Sequence, residues 1–440
     1  MISYIKFKSH PILGNAEFDF RKKDGSIYKN VLIIGENGSG KTTLLKSLNL
    51  AINGQNLSSV EAVTFEYEGK TITIKKDSIK NQFFEYEGPI ESCINPHVFR
   101  QNDSLFQKQG CVYSSTRTNF QLESRNYQHE DDIDSNPHFS DEQMDYSSIL
   151  NLFFNLENLD LKDYAKENKS ELKTTFDDYS RADSRTSRFK TAFNNFFDGL
   201  KFTEIDTANL QNIQVFFEKY GNQIEISNLS SGEKQIVFRG TNVLKNKSIM
   251  DDGIILIDEP ELSLHPKWQS KILKFYKDAF TKNGKQIAQI ITSSHSENIV
   301  IEAMKSRTDT LIIKMSSPYS GIEIKRIEEE SLLPSLTYAE ASYLTFGVLG
   351  IEYHAQLFGY MENYLNTTVL GTDSYIVTSH HYNPRIHEKI NTYRSNTYHS
   401  ISSYIRNAFD HPYQNLWAYN ESDIDQSIKL LRLIISDLPS

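Results

Sequence analysis

The chain opens with short alternating runs, IKF at 5–7 and AEFDF at 16–20, followed by a continuous apolar stretch, VLII at 31–34, that ends in glycine. Alternation marks strands with one wet face, and an unbroken short apolar run marks a strand covered on both faces. The period then changes. In GKTTLLKSLNLAI (40–52), Leu44, Leu45, Leu48 and Ile52 recur at helical spacing, so a helix follows the buried strand. VTFEYEG (63–69) and KTITIKK (70–76) alternate again and predict a hairpin. VFRQNDSL (98–105) and GCVYSSTRTNF (110–120) each read as a strand running into a loop, and the acidic stretch 121–145 reads as a solvated, mobile loop.

From 146 to 200 the pattern is helical, with a stripe of Phe189, Phe193, Phe196, Phe197 and Leu200 that predicts packing surface. IQVFFEKYGNQIEIS (213–227) reads as strand, Gly-Asn turn, strand. GIILID (253–258) is a second buried strand, a helix is predicted near 266–282, and QIAQIITSS (286–294) is a third strand. Buried strands alternating with helices predict a parallel sheet covered by helices. Beyond residue 335 the texture is mostly helical, with SHHYNPR (379–385) as a linker or turn. There is no internal repeat and no sustained heptad pattern.

Composition narrows the classes. The chain has 440 residues, 38% hydrophobic and 24% charged, with a formal net charge of −10. That size suits two or three domains. The acidic balance restricts any nucleic-acid binding to a local patch or a partner. No apolar run approaches the roughly 20 residues of a membrane span. MISYIKFKSH lacks the features of a secretory signal. Cys93 and Cys111 have no CxxC spacing, so neither disulfide nor zinc is indicated and a cytoplasmic location is expected.

Four stretches carry chemistry. GENGSGKT (35–42) fits G-x-x-x-x-G-K-[ST], between a predicted strand and a predicted helix. Backbone amides of such a loop wrap phosphates, the lysine reaches the β and γ phosphates, and the threonine hydroxyl serves Mg²⁺. Gly35, Glu36, Asn37, Gly38, Ser39, Gly40, Lys41, Thr42 and Thr43 are therefore the expected nucleotide-binding set, for ATP with Mg²⁺. IILIDE (254–259) places Asp258 at a strand end to hold Mg²⁺ with Thr42, and Glu259 beside it to polarise the attacking water. His295, after another apolar strand in SSHSEN, is positioned to sense the γ-phosphate. NLSSGEKQ (228–235) has the S-x-x-E spacing of a capping box at Ser230 and Glu233, which predicts a helix start and free amides suited to an anion.

In that order, GENGSGKT, LSSGEKQ, IILIDEPELSLHP and ITSSHSEN resemble the ATP-binding-cassette class of ATPases, in its SMC- and RecF-like branch. The resemblance implies an α/β fold, a phosphate-loop head of mixed and parallel sheet with a helical insertion and a mainly helical C-terminal region. The expected divisions are 1–120 and 213–334 for two lobes of the head, 121–212 for a loop and helical insertion, and 335–440 for the C-terminal domain. It also implies a nucleotide-sandwich homodimer or higher even oligomer. Ser230 and Gly232 would contact the γ-phosphate of ATP held by a second copy, and PELSLHP (260–266) would cross the interface. The signature reads LSSG rather than LSGG, which leaves Ser231 unassigned. Gln101 in VFRQND is the candidate glutamine-loop residue, with Arg117 as an alternative lining residue.

A transporter subunit is disfavoured, because the signature at 229 lies far from the phosphate-loop lysine at 41 and the chain continues long past His295. A DNA-repair head of SMC or RecF type lacks support from heptads. The C-terminal YIRNAFDHPYQN (404–415) and YNESDIDQSIKLL (419–431), with the compact plan, resemble the ATPase subunit of Septu-type antiphage systems, the PtuA-like family. That resemblance implies an HNH nuclease partner of PtuB type, association with a retron reverse transcriptase and its msDNA in some systems, nucleic acid reached through partners, and no membrane. A rival reading takes RNAFDH (406–411) as the Arg-polar-x-x-x-His pattern of HEPN ribonucleases, with Arg406 and His411 as the acting pair; Pro412 favours a helix end instead. Tyrosines and basic residues interleave through 380–411, for which a polar helical face is the plainer reading. His380, His381, His387 and His399 lack metal-ligand spacing.

Overall fold

The computed structural model describes residues 1–53, 55, 57–77, 79–99, 109–116, 133–142, 144, 148–168, 175, 184–206, 213–318, 321–393, 395–411 and 418–439. They form two compact units, Met1–Arg326 and Ile327–Ser440.

At the centre of the first unit lies a seven-stranded sheet in the order Glu323–Arg326, Thr310–Ser316, Asn30–Gly35, Gln289–Ser294, Ile254–Asp258, Cys111–Ser114, His138–Ser140. Every neighbouring pair is parallel except the first, which is antiparallel. Ile254–Asp258 and Gln289–Ser294 are buried at every position, as their apolar runs predict. Parallel register decides what this sheet presents. Asp258 pairs with Ser293, Ile257 with Ser114, Ser294 with Ile34, and Met315 with Gly35. The carboxyl ends of five strands therefore lie at one edge, where ligands of open α/β sheets bind. Helix Lys41–Ile52 buries Leu44, Leu45, Leu48 and Ile52 in a core shared with Phe7, Phe18, Ile33, Leu256 and Ile291.

A six-stranded antiparallel sheet runs Glu17–Asp19, Ile2–Phe7, Val60–Tyr67, Lys70–Asp77, Gln82–Glu87, Ile94–Val98. Its 60–77 hairpin turns at Glu68 and Gly69, both at positive φ (48° and 75°), as a tight turn matching strand twist requires. The insertion contributes helices Ser148–Glu167 and Arg185–Phe196 and a three-stranded sheet, Leu200–Asp206, Gln214–Lys219 and Asn222–Glu225. Phe189 and Phe193 of the predicted stripe are fully buried, and the rings of Phe153, Phe193, Phe202 and Phe217 interlock.

Two expectations about this unit need correction. The second hairpin turns at Tyr220–Gly221 (φ 53° and 79°), one residue ahead of the predicted Gly-Asn centre, because Asn222 already pairs with Lys219. The stretch 121–145 is not simply a solvated loop. His138–Ser140 is an edge strand of the central sheet, and Asp141 is fully buried. Its carboxylate accepts hydrogen bonds from the Ser114 and Ser115 hydroxyls and the Ser115 amide at 2.7–2.9 Å. Asp134 likewise binds Arg188 at 3.0 Å. Acidic composition suggested solvent; specific donors supplied by distant segments override it.

The second unit holds helices Tyr338–Phe346, Ile351–Tyr364, Val369–Thr378, Pro384–His387, Ile401–Asp410 and Glu421–Ser436 around a core that includes Tyr353, Leu357, Phe358, Ile405, Ile428 and Leu431. Glu388–Tyr393 and Asn396–Ser400 form an antiparallel hairpin where the sequence suggested a helical face. Among the described residues, no helix is long and apolar enough to cross a membrane.

Candidate functional site

The phosphate-loop residues connect strand Asn30–Gly35 to helix Lys41–Ile52. Gly40 caps that helix at φ 90°, and Gly38 sits at φ 82°, conformations that favour glycine. Gly35 is required for a different reason: a Cβ there would lie 2.2 Å from the Met315 carbonyl oxygen. Lys41 is buried, and its ammonium donates to the carbonyls of Gly35 and Glu36 at 2.8 and 3.0 Å. Burial lowers its pKa, against the opposing pull of Glu259, Asp258 and Glu261. Glu36, Asn37 and Gly38 are exposed, Thr43 is half-buried, and Ser39 is buried with its hydroxyl unpartnered among the described residues. An orphaned hydroxyl, a buried ammonium resting on carbonyls and glycine-shaped turns together fit a polyphosphate.

Asp258 sits where a helix, a loop and a neighbouring strand meet. Its carboxylate accepts hydrogen bonds from Thr42 at 3.2 Å, Thr116 at 3.1 Å and Ser293 at 2.5 Å. A threonine beside a buried carboxylate suits a hard, oxygen-bound cation such as Mg²⁺. Glu259 follows at φ 44°, unusual for a residue with a side chain, and its amide donates to the Ser293 carbonyl and hydroxyl at 3.2 and 3.1 Å. Its carboxylate lies 3.5 Å from His295 Nδ1.

Glu261, within the proposed interface loop, was not singled out by the sequence. It is buried. Its Oε1 accepts from the Ser294 hydroxyl at 2.7 Å and the His295 amide at 2.9 Å, and lies 3.5 Å from His295 Nδ1. Burial raises its pKa despite these donors. Arg239 was also missed. It is 1% exposed and lies on the helix Ser231–Leu244, eight residues into the apolar face where a charge reads as surface. Its guanidinium donates to the carbonyls of Ser114, Asp258 and Glu259 and to the Ser114 hydroxyl at 2.7–3.0 Å. One side chain thereby ties the signature helix to the backbone that carries both acidic residues. No local signal marked Arg239.

Ser230 caps the signature helix in a full capping box. Glu233 accepts from the Ser230 amide and hydroxyl at 2.8 Å, and the Glu233 amide donates back. Burial would raise the Glu233 pKa, but the Lys219 ammonium at 2.7 Å and the Ser230 donors outweigh it and hold the carboxyl below its usual value. Ser230 and Ser231 are exposed at the helix start. Gly232 is buried, and a Cβ there would lie 2.9 Å from the Ser263 carbonyl oxygen, so the start of this helix and the loop 260–266 pack directly together. Gln101 and Arg117 lie outside the described residues.

The C-terminal candidates are arranged otherwise. Arg406 pairs with Asp410 on its own helix, and His411 stacks on Tyr393 with ring centroids 4.5 Å apart. His380, His381 and Asp437 come within 4.8 Å of one another, a cluster that sequence spacing could not reveal.

A sequence profile described as an AAA ATPase domain matches residues 59–300. The chain therefore belongs to the AAA ATPase domain family, and its class is that of an ATPase. Among individual proteins, it is similar to the Septu protein PtuA of Bacillus thuringiensis, 29% identical over 293 residues, covering 61% of this chain and 66% of that one. The Septu protein PtuA of Bacillus mycoides (strain KBAB4) is 24% identical over 308 residues, 67% of this chain and 38% of that one. The Retron Vc95 probable ATPase of Vibrio cholerae serotype O1 biovar El Tor is 32% identical over 118 residues, 23% and 22% of the two chains. The chain thus spans less than two thirds of the length of each of these curated relatives. A solved SMC head bound to the C-winged helix domain of ScpA overlays with a TM-score of 0.44 at 14% identity, over 77% of this chain and 98% of that one.

Proposed function

We propose that this chain binds ATP with Mg²⁺ at the sheet edge, hydrolyses it between two copies of itself, and uses that cycle to regulate a partner nuclease in antiviral defence. The observation that carries the catalytic half is the convergence on Asp258 of hydroxyls from the phosphate-loop helix, the Thr116 loop and the His295 strand. Three separate segments are thereby held in one geometry before any substrate arrives, which is the preorganisation that phosphoryl transfer needs.

Within this reading, Lys41 and the loop amides hold the phosphates, and Mg²⁺, held by Thr42 and Asp258, would neutralise charge on the transferring group. Glu259 orients the attacking water and takes its proton. His295 faces the same site, its amide fixed by Glu261. Ser230 and Gly232, at an outward-facing helix start, meet the nucleotide of the second copy. The defence role rests on the PtuA and retron ATPase relatives; an HNH nuclease is the partner this reading names, with a retron reverse transcriptase and its msDNA as a further component.

The test is Glu259→Gln. Turnover should fall by about 10²–10⁴-fold while ATP binding persists, and size-exclusion chromatography with light scattering should show a dimer that ATP stabilises. Turnover equal to the wild type would remove Glu259 from the mechanism, and an ATP-independent monomer would remove the sandwich.

A further inference from the structure

Away from the phosphate loop, a cavity of about 600 Å³ opens among three helices, Arg185–Phe196 of the insertion, the signature helix Ser231–Leu244 and Pro266–Ala279 beyond the interface loop. This volume falls within the range of small-ligand pockets. Phe196 and Phe275, edge to face with centroids 5.2 Å apart, give it an apolar floor together with Leu244. Its rim carries four cations, Arg188, Lys247, Lys271 and Lys274, in a chain whose formal net charge is −10.

Most of that charge is already answered, and the remainder defines the ligand. Lys271 pairs with Asp198 at 2.8 Å, Lys274 with Asp278, and one terminal nitrogen of Arg188 with Asp134 at 3.0 Å. One cation is left: Lys247 has no carboxylate within ion-pair distance among the described residues, whereas the terminal nitrogens of Arg188 are engaged by Asp134, Ser248 and the Lys245 carbonyl and its Nε is sealed from the cavity. Burial lowers the Lys247 pKa and the neighbouring Arg188 charge lowers it further, the mark of a cation whose surroundings lack an anion. A bound oxyanion would supply Lys247 with the partner it lacks.

We propose that this cavity binds a nucleoside phosphate at a second site, with the phosphate on Lys247 and the base against the Phe196–Phe275 floor. A ligand there touches the insertion, the last turn of the signature helix and the helix that follows the interface loop, so it stands where it can report on all three. The same chemistry is offered by a free nucleotide and by the phosphorylated 5′ end of a strand.

Equilibrium dialysis of the full chain against AMP and against a 5′-phosphorylated trinucleotide tests the assignment; AMP lacks the β and γ phosphates that the phosphate loop takes. Binding of either probe should survive Lys41→Ala and weaken at least tenfold in Lys247→Glu. Lys274→Glu, at an exposed rim position, should weaken it as well without disturbing the fold. AMP binding identifies a free nucleotide as the ligand, and binding of the trinucleotide alone identifies a strand end. The proposal is overturned if neither probe binds at millimolar concentration, or if binding is lost in Lys41→Ala and kept in Lys247→Glu.

Discussion

Two buried polar sites are treated in opposite ways, the hydrogen-bonded network around Asp258 in the first unit and the imidazole of His354 in the C-terminal unit. At the sheet edge of the first unit, Arg239 makes four hydrogen bonds, Asp258 accepts from three hydroxyls, and Asp141 accepts from three donors. In the C-terminal unit, His354 is fully buried and neither ring nitrogen has a hydrogen-bond partner among the described residues. Burial and the Arg406 charge push its pKa down to about 3. A satisfied network fixes one geometry, whereas an unsatisfied group lowers stability and leaves its neighbourhood open to change. The difference separates a preorganised chemical site from a core that tolerates a polar liability. In the same unit Arg406 pairs with Asp410 and His411 stacks on Tyr393, so each residue of the rival ribonuclease pair is engaged by a neighbour.

The comparison can be broken most forcefully at Arg239. Arg239→Met leaves three carbonyls and a hydroxyl without their donor, and should destabilise the first unit by about 3 kcal/mol, read as a lower urea midpoint with reduced ATP turnover. An unchanged midpoint would mean that water replaces the guanidinium and the network is not structural.

His354 gives the next effect, through pH. Unfolded, its imidazole binds a proton below about pH 6.5, whereas folded it stays neutral down to about 3. Between those values the unfolded state holds more protons, so stability falls as pH falls. At about 1.36 kcal/mol per pH unit, the C-terminal unit should lose about 2 kcal/mol between pH 6.5 and 5. Chemical denaturation at several pH values measures this, and His354→Leu should flatten the slope. At neutral pH the same variant should be neutral or stabilising by up to about 1 kcal/mol, since it removes two unpaired nitrogens.

A smaller effect sharpens the comparison at the signature. Ser230→Ala removes half of the capping box and should cost about 1 kcal/mol of stability. If the sandwich reading holds, ATP-dependent dimerisation should fall by more than that cost explains. Loss of stability with dimerisation untouched would leave Ser230 as a helix cap alone.

Much of the head was legible because its signals are local. A glycine-rich loop between an apolar run and a helical stripe, two acidic residues after a second apolar run, and a Ser-x-x-Glu before a helix each declare themselves within a dozen residues. The hairpin at 60–77, the phenylalanine stripe and the capping box all follow from nearest-neighbour periodicity. What stayed hidden was whatever depends on pairing at a distance. Asp141 read as solvent-exposed because its donors, Ser114 and Ser115, lie on another segment. The hairpin at 388–400 was hidden because tyrosines and basic residues suit a helix face and a strand alike. His380 and His381 meet Asp437 only through the packing of the C-terminal unit.

By itself, then, the sequence determined which strands would be buried, where the phosphate loop would turn and which helix would begin with a cap, since each depends on side-chain period and backbone freedom over a few residues. Tertiary structure alone decided that Thr42, Thr116 and Ser293 share the carboxylate of Asp258, that Arg239 spans the signature helix and the acidic loop, and that four cations ring one cavity. The physical reason is register. In a parallel sheet the residue beside Asp258 is set by strand order and by alignment between segments far apart in the chain, and no local pattern encodes that alignment.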